Sequence, residues 1–551
     1  MAAPHLATLS FLIGVHRRSS AAFYVLLFSL AIHANAADAK ILDCTHQSEV
    51  LHESRHYRIF LPPAYESTTT RYPVIYWFHG YGERHNQGPP NKEYDRANDY
   101  SGDNIASFVA THEVIIVKLD GSNPRTPNET YPRPYNIGPV ETDRQFPLYF
   151  PELVAHIDAN YRTIPDREHR ATAGLSMGGF MSYWIAGKYP DMISSASNFM
   201  GSPEFVVGPR EFPVEYRHDE MRNNYAGVQT RLVTGTQDFI RFYHRQMNLI
   251  WNQPTHESEE FESDHGTPCM SKTLQFHMNA FQNPLPRPDL WSHADVYPTF
   301  TVWDWTVETD RKRPGFTSIE SASHTGFRSS VREWLPAGRA LRDVHVKVTT
   351  APYYRKKSRI PVTMVRLRDN HIQREHLFAD AEGRLQFDLD GDEYQVKIGA
   401  GLVKRSIETV KLPPAPVSTD YQIADHRSMP LFQHAVQQQT LTLGQGNGDG
   451  KADAGEQIAI LFKDGSAYRA AELFADDECI DLTTRVSDPW SDYDHTGASA
   501  KYTLARIALY CSGRTIKLLA RTIIPNKPNH QLQEATIELQ ITPLPTNHAS
   551  K

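Results

Sequence analysis

From about residue 41 to 295, short apolar runs alternate with segments of helical period. The runs YRIFLP (57–62), YPVIYWFHG (72–80) and HEVIIVKLDG (112–121) read as strands, each ending in a polar or glycine-rich loop. FPELVAHIDANY (150–161) reads as a helix, with Leu153, Val154 and Ile157 on one face. HRATAGL (169–175) is the next strand, and MGGFMSYWIAGKYP (177–190) a helix closed by Pro190. TRLVTGTQD and HESEEFES are further strands, each followed by a helical pattern, FIRFYHRQMNLIWNQ and MSKTLQFHMNAF. This alternation predicts an α/β layer with a mostly parallel sheet, whose ligand crevice lies at the carboxyl ends of the strands.

Beyond residue 295 the period falls to two. VHVKVTTAPYY, IPVTMVRLRD, GRLQFDLDGDEYQVKIGAG and SIETVKLP predict a small antiparallel sandwich over 296–412. Ahead of them Trp303 and Trp305 alternate on one face, as core or as a carbohydrate platform. The proline-rich LPPAPVS marks a linker, and QTLTLG, EQIAILFKD, ARIALYC, TIKLLARTII and EATIELQIT predict a second all-β module over 418–545. At the other end, His16, Arg17 and Arg18 precede the apolar AAFYVLLFSLAI and the small-residue HANAAD, the pattern of a secretory signal ending at Ala36. A retained anchor is the alternative; no later segment approaches a membrane span, so no stable membrane insertion and a secreted or periplasmic destination are expected.

Composition narrows the partners. The 551 residues carry a net charge of −7, which offers no electrostatic case for nucleic acid as a partner. The four cysteines, Cys44, Cys269, Cys479 and Cys511, suit an exported protein with two disulfides, pairing Cys44 with Cys269 and Cys479 with Cys511; buried free thiols are the alternative.

The chemistry centres on AGLSMGG. The pattern G-x-S-x-G arises by accident in roughly one chain in ten of this length, so context must decide. Ser176 stands between a predicted strand and a predicted helix, where a tight turn flanked by Gly174 and Gly178 projects its hydroxyl above a sheet. Such a serine needs a base and a group to orient that base, expected downstream in the order acid, then histidine. Asp238 ends the strand TRLVTGTQD and His265 follows the next strand, so these are the candidate acid and base. Among the other histidines, His244 lies inside a helix and should point away from the strand ends, His256 starts a strand, and His293 lies beyond the last helix. The oxyanion needs two backbone donors: the amide of Met177, and one from the loop His79-Gly80-Tyr81-Gly82, with Tyr81 preferred over Gly82. His79 itself is expected to orient that loop.

These segments, FHGYG, ETDRQFPLYFPELVAHIDANYR, AGLSMGGFMSYWIAGKYPD, TGTQD and DHG, together resemble the putative esterase family of α/β-hydrolases, which includes esterase D, enterochelin esterase, feruloyl esterases and antigen 85 mycolyltransferases. The resemblance covers about residues 55–285 and implies a Ser-His-Asp acyl-ester hydrolase that needs no cofactor for catalysis. Where several relatives carry an aromatic residue soon after the catalytic histidine, GTPC follows His265 here.

In the last module, GQGNGDGKADAGE partly fits a calcium loop, with Asn447, Asp449, Asp453 and Glu456 as candidate ligands for a structural calcium. Gln445 stands where the first aspartate belongs, and a solvated hairpin turn is the other reading. The expected protein is thus a three-domain exported esterase, with the hydrolase domain at 41–295, acting on acyl esters of a carbohydrate or similar polymer. An acyltransferase on the same residues, and a non-catalytic binding protein, are the rivals.

Overall fold

A computed structural model describes the chain outside residues 1–37, 82, 87–102, 122–145, 202–203, 210, 239, 252–253, 334, 336–337, 400–420, 426–448, 465–466, 476, 486–502, 526–529 and 544–551. The signal segment, the linker, the strands SIETVKLP and QTLTLG, and Gln445, Asn447 and Gly82 lie outside the described residues.

The first ten strands are β1 (Lys40–Ser48), β2 (Glu53–Leu61), β3 (Val74–Phe78), β4 (Ile115–Leu119), β5 (Arg170–Leu175), β6 (Ser195–Phe199), β7 (Glu204–Val207), β8 (Val214–Arg217), β9 (Gln229–Gly235) and β10 (His256–Phe261). Eight of them form one sheet in the order β1-β2-β4-β3-β5-β6-β9-β10. From β4 to β10 the pairing is parallel; β1 and β2 run antiparallel at one edge. All of β3 and β4 is buried, as befits strands covered on both faces. The helices are α1 (Ile105–Val109), α2 (Phe146–Asn160), α3 (Met177–Lys188), α4 (Arg241–Ile250) and α5 (Met270–Gln282). Every residue of α3 is buried, which explains why it shows no amphipathic stripe. The hairpin of β7 and β8 is an insertion between β6 and β9.

The next ten strands are β11 (Trp291–Asp295), β12 (Thr299–Val302), β13 (Trp305–Thr309), β14 (Phe316–Ser323), β15 (Gly326–Arg332), β16 (His345–Thr349), β17 (Arg359–Arg366), β18 (His371–Phe378), β19 (Gln386–Asp390) and β20 (Tyr394–Ile398). They make two antiparallel sheets, β11-β14-β15-β20-β17-β18 and β12-β13-β16-β19, around one apolar core. Trp305 is fully buried, edge-on to Trp291 and Phe327 at 5.7 and 5.4 Å. Trp303 is 4% exposed, beneath the guanidinium groups of Arg167 and Arg287. The carbohydrate-platform alternative therefore fails: both indoles are already covered by the protein. The third region pairs strands around Gln457–Asp464 in one sheet and around Thr515–Pro525 and His530–Thr542 in another.

Cys479 and Cys511 form the expected disulfide, inside the core of this third region. Cys44 and Cys269 do not; both are free thiols. The reason is topological: Cys44 lies on β1 and Cys269 just after β10, the two opposite edges of an eight-stranded sheet, so about 34 Å of strand spacing separates their elements. Cys44 Sγ instead lies 3.5 Å from the Tyr161 hydroxyl.

Candidate active site

Ser176 occupies the turn between β5 and α3 with φ 57° and ψ −119°, a backbone conformation that costs a non-glycine residue about 1–3 kcal/mol. Neighbouring backbone holds it there: its N–H donates to Phe199 O at 2.9 Å and its carbonyl accepts from Phe180 N–H at 3.1 Å. Close packing around the turn requires glycine. A Cβ at Gly178 would stand 2.1 Å from Phe78 O and 2.5 Å from His79 O, and one at Gly174 would stand 2.3 Å from Gly178 O. With no side chain at either position, α3 starts directly against the end of β3, and the loop after β3 reaches Ser176: a Cβ at Gly80 would be 3.5 Å from Ser176 Cβ.

Asp238 and His265 come together as the spacing predicts. His265 Nδ1 lies 3.3 Å from both carboxylate oxygens of Asp238. Asp238 is completely buried and accepts the Ile240 N–H at 2.9 Å, whereas the His265 side chain is 26% exposed. The loop behind the histidine is held by a group the sequence reading missed: the Gly266 N–H donates to Met200 Sδ at 3.0 Å. Met200 itself has a left-handed φ of 49° and is buried.

The competing histidines are otherwise engaged. His244 does not point away from the strand ends; it is buried with Nε2 2.7 Å from Gly201 O and Nδ1 3.0 Å from Thr234 Oγ1, and burial lowers its pKa. Both nitrogens thus serve packing beneath the site. His256 bonds Thr230 and Asn248 across β9, β10 and α4, and burial pushes its pKa down to about 4. His293 sits 3.6 Å from Asp295, at the junction with the second region.

His79 is 1% exposed. Its Nε2 accepts the Gly121 N–H at 2.9 Å, so Nδ1 carries the proton and donates to Gly80 O at 2.8 Å. Glu83 Oε2 accepts the Gly80 N–H at 3.0 Å from the other side of the same turn. Behind them Asp120, 3% exposed, receives Arg84 Nη2 at 2.7 Å and lies 3.3 Å from His85 Nδ1. Burial opposes ionisation of Asp120, but His79 and His85 beside it and the Arg84 guanidinium bonded to it outweigh burial and hold the carboxyl far below its ordinary range. This charged network was not legible in the sequence, because its members come from the segments that follow β3 and β4, as Arg84 and Asp120 do, 36 positions apart.

Ser176, His265 and Tyr81 line one cavity of about 220 Å³, whose apolar wall includes Trp77, Ile105 and Met270. Lys118 and Glu83 also line it, so it is not uniformly apolar. Tyr81 is 49% exposed and Met177 is buried.

The calcium expectation gains no support. Asp449 Oδ1 accepts the Lys451 N–H at 2.9 Å and Glu456 Oε2 the Asp453 N–H at 3.0 Å, closing local turns. Among the described residues no group of three or more His, Cys, Asp or Glu side chains gathers to hold a metal.

Residues 48–275 match the Putative esterase family. An esterase of Mycobacterium tuberculosis strain H37Rv is 29% identical over 172 residues, 31% of this chain and 34% of the relative. An endo-1,4-beta-xylanase/feruloyl esterase of Xylanibacter ruminicola is 27% identical over 179 residues, 31% of this chain and 23% of the relative. The chain thus spans about a third or less of the length of these curated relatives. A solved ferulic acid esterase from Anaeromyces mucronatus aligns over 46% of this chain and 92% of its own at 21% identity, with a TM-score of 0.35.

Proposed function

We propose that this chain is a serine hydrolase of carboxylic esters, a reading supported by the match of residues 48–275 to the Putative esterase family. One observation carries the reading: Ser176, in its strained turn, lines the same cavity as His265, whose Nδ1 faces the buried carboxylate of Asp238. With Nδ1 turned to Asp238, Nε2 is the nitrogen that takes the Ser176 proton. Ser176 Oγ attacks the ester carbonyl, the carbonyl oxygen becomes an oxyanion, and the amides of Met177 and Tyr81 donate to it. His265 returns the proton to the leaving alcohol, then activates water to release the acid. Asp238 keeps the imidazole in the required tautomer. No step calls on a cofactor.

Export, and an ester of a carbohydrate or other extracellular polymer as substrate, complete the proposal. Both rest on the leader pattern and on the β-rich regions after the hydrolase segment. Among the described residues no helix is long and apolar enough to cross a membrane. A structural calcium at Asn447, Asp449, Asp453 and Glu456 is no part of the proposal.

The test is Ser176→Ala assayed on p-nitrophenyl acetate and on acetylated and feruloylated sugars. Turnover should fall by about 10³-fold or more with KM little changed. Full activity in that variant would overturn the mechanism.

A further inference from the structure

The second β region carries a stretch rich in cations. Residues 353–378 hold seven Lys or Arg against two Asp or Glu, in a protein whose net charge is −7. Several exposed cations elsewhere meet carboxylates, as Arg313 meets Asp343 and Arg287 meets Asp304. In this stretch Arg366 pairs with Asp369 and Arg368 with Asp392, which leaves Arg355, Lys356, Lys357, Arg359 and Arg374 with no carboxylate partner among the described residues.

Strand register places Arg359 and Arg374, together with Lys397, on one face, and Arg355, Lys356 and Lys357 lie in the segment that leads into β17. In β17 and β20 the side chains of Val362, Met364, Val396 and Ile398 enter the core, so Arg359, Pro361, Thr363 and Lys397 point outward. Pairing of β17 with β18 sets Phe378 opposite Arg359, His376 opposite Pro361, Arg374 opposite Thr363 and Ile372 opposite Val365, all on that outer face. Glu375, the one acid of β18, alternates to the inner side. Lys397 and Arg374 flank Thr363 about 10 Å apart, two strand spacings, and Gly326 beyond Lys397 adds no side chain. Phe378 is 69% exposed and Ile372 47%.

We propose that the outer face of β17, β18 and β20 docks an acidic polysaccharide. Guanidinium and ammonium groups at strand spacing meet a repeating row of carboxylates or sulfates, while Phe378 and Ile372 pack on the apolar faces of the sugar rings. A bilayer fits less well, because Ile372, Arg374, His376 and Phe378 alternate along β18 and form no continuous apolar patch. The surface lies outside the catalytic segment and is independent of whether Ser176 is the nucleophile, since the test reads binding and not turnover.

Binding of the full chain would be measured on polygalacturonate and dextran sulfate, with neutral dextran, anionic phospholipid vesicles and single-stranded DNA alongside, at low and high salt. The proposal expects binding to at least one acidic polysaccharide, weakened by salt, and no binding to neutral dextran. Binding should fall roughly tenfold or more in the Arg359→Glu, Arg374→Glu double variant and several-fold in Phe378→Ala, with unchanged melting temperatures. Arg313→Gln, a paired cation elsewhere, should bind as the wild type does. Failure to bind either acidic polysaccharide, binding undiminished in the double variant, or tighter binding to vesicles or DNA would each overturn it.

Discussion

Gly178 shows how one missing side chain sets the geometry of the site. A methyl group there has two opposed effects. Alanine is the better helix former by up to about 1 kcal/mol, but its Cβ would meet the carbonyl oxygen of Phe78 at 2.1 Å. Backbone cannot rotate away as a flexible side chain would, so the clash wins. Gly178→Ala is expected to destabilise the fold by about 1–3 kcal/mol and to move the His79-Gly80-Tyr81 loop by about 1 Å relative to Ser176. A shift of that size should lower kcat about 10²-fold, read from steady-state kinetics beside a urea titration. Ser176, Asp238 and His265 were legible as residues because each ends a recognisable strand in the expected order. Met200, Glu83 and Asp120 were not, since nothing local in the sequence says that a thioether or a carboxylate will receive a distant backbone or side-chain proton.

Between elements, the joint of α3 and β11 is a buried ion pair. Lys188 Nζ lies 2.6 Å from Asp295 Oδ2, and both side chains are nearly inaccessible. Burial alone would raise the Asp295 pKa; the Lys188 charge, with His293 beside it, overcomes this and lowers it to about 2. A depressed carboxyl stabilises the folded state at any pH above its unfolded value near 4, and that contribution is lost as pH falls toward 2. The difference amounts to about 2 kcal/mol. Asp295→Asn should therefore lose about 2 kcal/mol less stability than the wild type between pH 6 and pH 2, measured by urea unfolding at a series of pH values. The elements themselves were largely readable: β5 and β9 follow from apolar runs and α3 from the glycine turn and Pro190 that bound it, while the polar β10, HESEEF, was readable from its place between two helical patterns. The polar strand β1 was missed because KILDCTHQS pairs with only one neighbour and its residues are partly exposed. The β7–β8 hairpin was missed because its two short strands lie in an insertion outside the main sheet.

For the whole molecule, the hydrolase segment and the last β region are joined by Arg217, on β8, and Glu472, a buried pair. The last region has its own restraint in Cys479–Cys511, which spans 32 positions. Reducing that bond is expected to cost roughly 3–4 kcal/mol. Because Cys44 and Cys269 are thiols already, a reductant should lower the unfolding temperature of the last region while ester turnover at 25 °C stays unchanged, as calorimetry and a soluble-ester assay run in parallel would show. The division of labour between sequence and tertiary structure follows from range. Alternation, capping and glycine placement act over a few residues, so the sequence by itself determined the α/β character of the first segment, the β character of the rest, and the serine turn with its downstream acid and histidine. Sheet order, the separation of Cys44 from Cys269 and the Asp120 network depend on which distant strands become neighbours. The cation-rich face of β17, β18 and β20 depends on it too. That is decided only when the chain closes its core, because apolar burial rewards many pairings equally and the side chains that distinguish them meet only in three dimensions.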